Sequence, residues 1–376
     1  MQINPFLTTG YISKEYFCDR EKETENLINY CTNGNNVTLV SLRRLGKSGL
    51  IQHVFENLKD NETIETIYVD IYSTRTLEDF IKRISEAILK KFPEKTPFGK
   101  IFWEFIKRLR PLISFDNITG DPQVQIMYQS EHEKTSTIQN LFEIIEKQNK
   151  RVIIAIDEFQ QINEYPEKNI EAILRSQIQF LKNITFIFCG SKQSILYDMF
   201  SNAKRPFYMS TQFMNLDKIE NNKYAEFIKE KFEKGEMNVT NEAINLILSL
   251  TKTYTFYTQK LCNKLYGMKP EQIDIELVKN SYFEIIEETK LSFLQIRELL
   301  TKAQWNYLIA IAKEEGISKI TSQDFLMRYK IGTASNSKRL MKALIEKDLI
   351  NKIHTIKEST YCINDVFLNH WLKESY

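Results

Sequence analysis

Four strand patterns constrain this chain before anything else does: Val37-Thr38-Leu39-Val40, Ile64 to Ile71, Val152 to Ile156 and Ile184 to Cys189, mostly apolar except that the second carries Glu65, Thr66 and Asp70, with helical stretches between them. Strands that are apolar at every position are buried on both faces, and strands that alternate with helices pair in parallel. The expected fold is therefore α/β, a parallel sheet covered by helices on both sides. After the first run comes a glycine and basic loop, and then Leu50, Ile51, Val54, Phe55 and Leu58 fall on one helical face. The order is strand, loop, helix.

Between the second and third strands, the long insertion over 74–150 contains two helical patterns and a hairpin, Leu112 to Phe115 against Val124 to Tyr128, turned at Asn117 to Pro122. From about Leu216 the strands stop. Helical patterns follow at Tyr224 to Phe232, Glu242 to Leu250, Phe256 to Tyr266 and Ile275 to Ile286. Helices then recur near Gln304 to Ala312, Gln323 to Tyr329 and Ser337 to Lys347, before a polar hairpin from Ile350 to Ile363. These patterns divide the chain into a sheet domain over 1–215, an all-helical domain over 216–290 and a mixed domain over 291–376.

Composition mainly excludes. The 51 Lys and Arg nearly cancel the 49 Asp and Glu, so any nucleic-acid binding must come from a local patch rather than from the field of the whole chain. The five cysteines, Cys18, Cys31, Cys189, Cys262 and Cys362, form neither a metal-ligand spacing nor a disulfide framework, and a reducing cytosol suits them. The start of the chain lacks the basic and apolar regions of a signal peptide, and no apolar run is long enough to cross a bilayer, so a cytoplasmic protein with no membrane partner is expected. His53, His132, His354 and His370 are far apart in sequence and are not expected to bind metal.

Two motifs carry chemistry. Ser41-Leu42-Arg43-Arg44-Leu45-Gly46-Lys47-Ser48 fits the phosphate-loop pattern at every fixed position except the first, where Ser41 replaces glycine. With a strand before it and a helix after it, the backbone N–H groups from Arg43 to Gly49 converge on one point with the helix N-terminus, where phosphate oxygens bind. Lys47 would reach the β- and γ-phosphates of ATP, and Ser48 would ligate Mg²⁺. About a hundred residues on, Val152 to Ile156 ends in Asp157 and Glu158. Ligands sit at the carboxyl ends of parallel strands, so Asp157 would hold Mg²⁺ through water and Glu158 would orient or deprotonate the attacking water.

Taken in order, Tyr16 to Glu21, the Arg-Arg-x-Gly-Lys-Ser loop, the Asp-Glu strand, Gly190-Ser191 and Lys204-Arg205-Pro206-Phe207-Tyr208 resemble the archaeal-type ATPase family, of the AAA+ class near the origin-recognition ATPases. The resemblance covers essentially the whole chain. It implies a P-loop core with a five-stranded parallel sheet, a helical lid and a C-terminal winged helix. It also implies roles for further residues: Phe17 to Glu21, Arg20 among them, bordering the adenine, Ser191 as a polar sensor near the γ-phosphate, and Arg205 as an arginine finger offered to a neighbouring subunit of a homo-oligomer. The lid segment Tyr254 to Lys260 departs from the family in having no proline and no clear sensor arginine, and Phe256 and Tyr257 read there as lid core.

Trp305, Leu308, Ile309 and Ile311, then Thr333 to Arg339 opening a helix, then Asp348-Leu349-Ile350, look like a winged helix. Ser335, Asn336, Lys338, Arg339 and Lys342 would form its groove-facing side toward duplex DNA, although winged helices also serve as protein contacts. The resulting expectation is an ATP-hydrolysing motor or switch coupled to DNA or to a protein. A slow or non-hydrolysing regulatory switch with a protein partner is the alternative, and a P-loop kinase acting on a small molecule fits the Asp-Glu pair and the C-terminal module less well.

Overall fold

A strand that is apolar at every position needs cover on both of its faces, and the unit formed by Thr9–Lys218 supplies it. The computed structural model describes residues 3–109, 112–116, 118–126, 128, 130–354 and 359–376. Along the first unit run α1 (Glu21–Thr32), β1 (Val37–Ser41), α2 (Lys47–Asn57), β2 (Ile64–Asp70), α3 (Leu77–Lys91), α4 (Pro97–Arg108), β3 (Leu112–Phe115), β4 (Pro122–Gln125), α5 (Glu131–Glu146), β5 (Arg151–Asp157), a 3₁₀ turn over Phe159–Glu164, α6 (Ile170–Ile178), β6 (Ile184–Gly190), α7 (Gln193–Ser201) and β7 (Gln212–Leu216). Five of the strands form one sheet in the order β2-β5-β6-β1-β7, parallel throughout.

Side chains alternate between the two faces of that sheet. Ile154, Ile156, Phe186 and Phe188 join the core beneath α3 to α7, whereas Ile153, Ala155, Ile187 and Cys189 meet Leu27 of α1 and Leu50, Ile51 and Val54 of α2. The fifth strand, β7, came only from the family resemblance, for a physical reason: as an edge strand it buries Met214 and Leu216 alone and leaves Gln212, Phe213 and Asn215 exposed.

The insertion carries the expected hairpin, with Leu112 opposite Gln125 and Phe115 opposite Pro122. Its second strand starts at Pro122 rather than at Val124. The turn is tight because the Asp116 carboxylate accepts from the N–H groups of Ile118 and Thr119, and Gly120 takes φ of 69°. Asn117 and Met127, both part of the expected hairpin, lie outside the described residues.

The second unit comprises Ile219–Tyr376 together with the residues before Thr9. It contains α8 (Asn221–Lys234), β8 (Asn238–Val239), α9 (Asn241–Leu250), α10 (Thr255–Met268), β9 (Gln272–Ile273), α11 (Ile275–Glu298), α12 (Lys302–Lys313), α13 (Gln323–Arg328), α14 (Ala334–Glu346), β10 (Ile350–His354), β11 (Ser359–Ile363) and α15 (Val366–Ser375). Strands β10 and β11 pair antiparallel as the wing. Phe6 packs its ring against Phe227, Phe232 and Tyr266, and Asn4 and Asn263 exchange hydrogen bonds with each other's neighbourhood. Tyr257 of α10 is fully buried with its ring 4.8 Å from that of Phe367 on α15, so the aromatic pair at the head of α10 serves packing. Helix α11 runs unbroken from its Asp274 cap through position 290. Among the described residues no helix is long and apolar enough to cross a membrane.

Candidate functional site

Parallel pairing brings the carboxyl ends of β1, β5 and β6 side by side, and the chain's chemical groups collect there. Ser41 is the last residue of β1, buried and paired in register with Leu216. It is not among the residues with positive φ, so this position makes no conformational demand for glycine. The demand falls on Arg44, at φ 68°, and on Gly46, at φ 90°, which caps α2 and accepts its first helical hydrogen bond from Leu50 N–H. Arg44 and Ser48 are exposed, and Leu45 is buried beneath the loop.

Lys47 and Ser48 open α2 and meet β5. The Lys47 ammonium lies 2.9 Å from Asp157 Oδ1 and 3.7 Å from Glu158 Oε1, and Ser48 Oγ donates to Asp157 Oδ2 at 2.8 Å. Burial works against the Lys47 charge. The acidic groups around it, Cys189, Asp157 and Glu158, outweigh burial and lift its pKa above the usual lysine value. Cys189 is fully buried and its thiol is pushed far up by that burial and by Asp157, so at neutral pH the two carboxylates hold Lys47. Burial also opposes the Asp157 charge. Lys47, with hydrogen bonds from Tyr68 and Ser48, overcomes it and brings the carboxyl down to about 2.

Three residues of this constellation were not anticipated. Tyr68 of β2 donates to Asp157 Oδ2 at 2.6 Å, Cys189 of β6 lies 3.4 Å from Asp157 Oδ1, and Gln160 of the 3₁₀ turn donates to Glu158 Oε2. Tyr68 sits in a strand that reads as core, and Gln160 has no motif value by itself, so only the parallel register of β2 with β5, Tyr68 opposite Ala155, points to the first.

Ser191, just past β6, donates through Oγ to Glu158 Oε2 at 2.9 Å and through its backbone N–H at 3.4 Å. Glu158 itself is in the left-handed region at φ 56°, the bend that turns its side chain from the strand into the site. Phe17 stacks on His53 of α2 with ring centroids 4.2 Å apart, and its edge comes within 3.6 Å of where a side chain on Gly49 would begin. Arg20 is buried, paired with Glu23 at 2.7 Å and donating to the carbonyls of Asp217 and Leu45 at 2.6 and 3.4 Å, which braces the loop against the end of β7.

Arg205 lies apart from this cluster. Its guanidinium pairs with Glu171 of α6, donates to Asn163 at 2.6 Å and approaches Asp198 of α7 at 3.6 Å, all within its own unit.

The donor set suits a nucleotide with a divalent cation. A buried ammonium beside a helix N-terminus donates to phosphate oxygens, and the adjacent Ser48 Oγ and Asp157 carboxylate offer hard oxygen ligands. Among the described residues no group of three His, Cys, Asp or Glu side chains could hold a metal unaided, so a cation at Ser48 and Asp157 would draw further ligands from phosphate and water.

Comparison with known proteins agrees with this geometry. Residues 17–255 match the family described as an ATPase domain predominantly from Archaea, and residues 291–374 match the one described as a probable winged helix domain. Two uncharacterized ATP-binding proteins of Methanocaldococcus jannaschii are similar in sequence. One is 24% identical over 93% of this chain and 94% of its own length, the other 30% identical over 40% and 45%. In fold the chain resembles the Walker-type ATPase of Pyrococcus abyssi, with TM-score 0.66 and 18% identity over 98% of this chain and 99% of the other. It also resembles the Aeropyrum pernix ORC2 protein in its ADPNP-ADP complexes, with TM-score 0.60 and 15% identity over 99% and 96%. The Aeropyrum pernix ORC1 protein in complex with DNA gives 0.51 and 14% over 95% and 93%.

Proposed function

The chain belongs to the family of ATPase domains found predominantly in Archaea, and from that premise we propose that it binds ATP at the carboxyl ends of β1, β5 and β6, hydrolyses it with Mg²⁺, and couples the cycle to a DNA or protein partner. The observation that carries this reading is the convergence on Asp157, at the N-terminus of α2, of Lys47 at 2.9 Å and Ser48 at 2.8 Å, with Glu158 3.7 Å from the same ammonium. The site is a preassembled set of phosphate, metal and water ligands.

Each residue then has a task. The backbone N–H groups from Arg43 to Gly49 and the Lys47 ammonium bind the β- and γ-phosphate oxygens, and Lys47 exchanges its carboxylate partners for phosphate when it does so. Ser48 and Asp157 hold the cation, with Tyr68 and the low pKa of Asp157 keeping that carboxylate ionised and oriented. Bound there, Mg²⁺ would offset the charge that develops on the transferring phosphoryl group. Glu158 orients the attacking water and accepts its proton, and Ser191, whose hydroxyl donates to Glu158, acts as the polar sensor of the γ-phosphate. Phe17 packs on α2 at the side where a base would lie, and Arg20 sets the shape of the loop rather than touching the nucleotide. The winged-helix match and the fold likeness to a protein solved with DNA support a duplex DNA partner.

Steady-state phosphate release by the purified full chain, measured against protein concentration and with or without duplex DNA, tests the proposal. Turnover that rises with DNA supports a coupled ATPase. ATP binding without turnover would make the protein a nucleotide switch, and a phosphorylated acceptor in place of free phosphate would make it a kinase.

A further inference from the structure

The 3₁₀ turn after β5 does more than end a strand. Gln160 is 5% exposed, and its side-chain amide donates to the Glu158 carboxylate on the side away from Lys47. Among the described residues its Oε1 has no hydrogen-bond partner, and the polar contact of this buried amide is the one to Glu158. Space for it exists because residue 190 is glycine: a Cβ built there would fall on Gln160 Oε1. Gly190 does not have positive φ and belongs to β6, so the backbone itself has no need of glycine at this position. The missing side chain accommodates the amide. The turn is pinned from its far side as well, since Asn163 donates to the carbonyl of Gln160 at 3.1 Å and accepts from Arg205 at 2.6 Å.

We propose that Gln160 is a positioning residue that aims the Glu158 carboxylate, and that Gly190 is glycine in order to admit it. The inference rests on the reading of Glu158 as the water-orienting group. Gln160 acts through Glu158. It fixes one Glu158 oxygen from the side opposite Lys47, while Ser191 approaches the same oxygen from β6, and a reacting geometry is sensitive to displacements of about 1 Å, which cost up to ~100-fold.

The test is a double-mutant cycle on the full chain with Gly190→Ala, Gln160→Ala and the pair, reading kcat for phosphate release and ATP affinity by calorimetry. Gly190→Ala should lower kcat by about 10- to 100-fold with ATP affinity unchanged, because its methyl pushes the flexible amide aside. Gln160→Ala should do the same, and the double variant should be no slower than the slower single one. Wild-type kcat in Gly190→Ala, or losses that multiply in the double variant, would overturn the proposal. Gln160→Leu, close in shape but without a donor, covers the case in which Gly190→Ala does not fold: its kcat should fall while its melting temperature holds, and a normal kcat would overturn the proposal equally. Glu158→Gln separates the two levels. If that variant turns over like wild type, or wild type does not turn over at all, the role of Glu158 fails and this inference with it. If Glu158→Gln is inactive while the Gln160 and Gly190 variants are normal, only the inference fails.

Discussion

Lys47 is buried among acids, and removing it should be felt in binding before anything else. Lys47→Ala deletes the ammonium that pairs with Asp157 and Glu158 and leaves those carboxylates facing the phosphates without it. ATP affinity by calorimetry should fall by at least ~100-fold, in line with a buried charged contact of about 3 kcal/mol, and an unchanged affinity would dismiss the phosphate-loop assignment. Glu158→Gln should behave differently, keeping ATP and Mg²⁺ bound while losing about 10²- to 10⁴-fold in turnover, since only the water-activating carboxylate has gone. Asp157 also carries a pH dependence. Its folded pKa of about 2 lies below the ordinary 3.8, so its stabilising contribution is complete above pH 3.8 and disappears as the pH falls through about 2, an effect on the order of 2 kcal/mol. Urea unfolding at pH 6 and pH 3 should therefore show a smaller acid loss in Asp157→Asn than in wild type, and equal losses would place the acid sensitivity elsewhere. These three residues were legible because the phosphate loop and the Asp-Glu strand end are contiguous motifs. Tyr68, Gln160 and Gly190 were not, because each matters only through a partner that the sheet register or a turn brings to it.

At the scale of elements, the 3₁₀ turn, α6 and α7 meet at Arg205. The resemblance assigns Arg205 to a neighbour's phosphate, but the structure gives it Glu171, only 8% exposed, as a partner. Burial pushes the Glu171 carboxyl up and Arg205 opposes that shift, so lending Arg205 to another subunit would leave a buried carboxylate without its cation. The geometry therefore favours a role within its own subunit, holding Asn163 and the turn that follows Glu158. Arg205→Ala should slow turnover without weakening ATP binding, and mixing it with Glu158→Gln protein should restore nothing. Activity recovered at intermediate mixing ratios would show instead that the arginine acts across a subunit interface. The legibility of elements followed their burial. The central strands β1, β5 and β6 read directly as buried runs and β2, at one edge, as a mixed one, whereas β7, at the other edge, came only from the resemblance, and α15, whose Asp365 cap and Phe367, Trp371 and Leu372 stripe follow directly on the wing, needed the structure.

At the scale of the whole molecule, the open question is what the C-terminal module touches. Helix α14 starts at Thr333, whose hydroxyl accepts from Asn336 N–H, and its buried side holds Ser337, Leu340, Met341 and Leu344. Asn336, a candidate for reading a base edge, donates its amide to the Ile331 carbonyl and accepts from Arg339 at 2.9 Å, so it is engaged in holding the start of the helix. Further cationic character lies one step round the helix. Lys338 and Lys342 share a groove of about 830 Å³ with Lys319 from the loop before α13 and Lys352 from the wing, the latter stacked over Tyr361, and among the described residues the acid lining it is Glu346, 3.8 Å from Lys342. Lysines presented by helix, loop and wing suit a phosphate backbone better than a single base. Replacing Lys338, Arg339 and Lys342 by alanine should weaken binding of a labelled duplex and flatten the slope of log affinity against log salt by roughly 0.9 per lost phosphate contact, up to about 2.7. Replacing Lys319 and Lys352 should remove up to about 1.8 more, which a reading confined to the helix does not anticipate. Fluorescence anisotropy across a salt series, with melting curves to show that the variants fold, makes the measurement. A slope that does not change, or a wild-type protein that ignores duplex DNA at low salt, would assign the groove to a protein partner, and the coupling of ATP turnover would then have to be sought with that partner rather than with DNA.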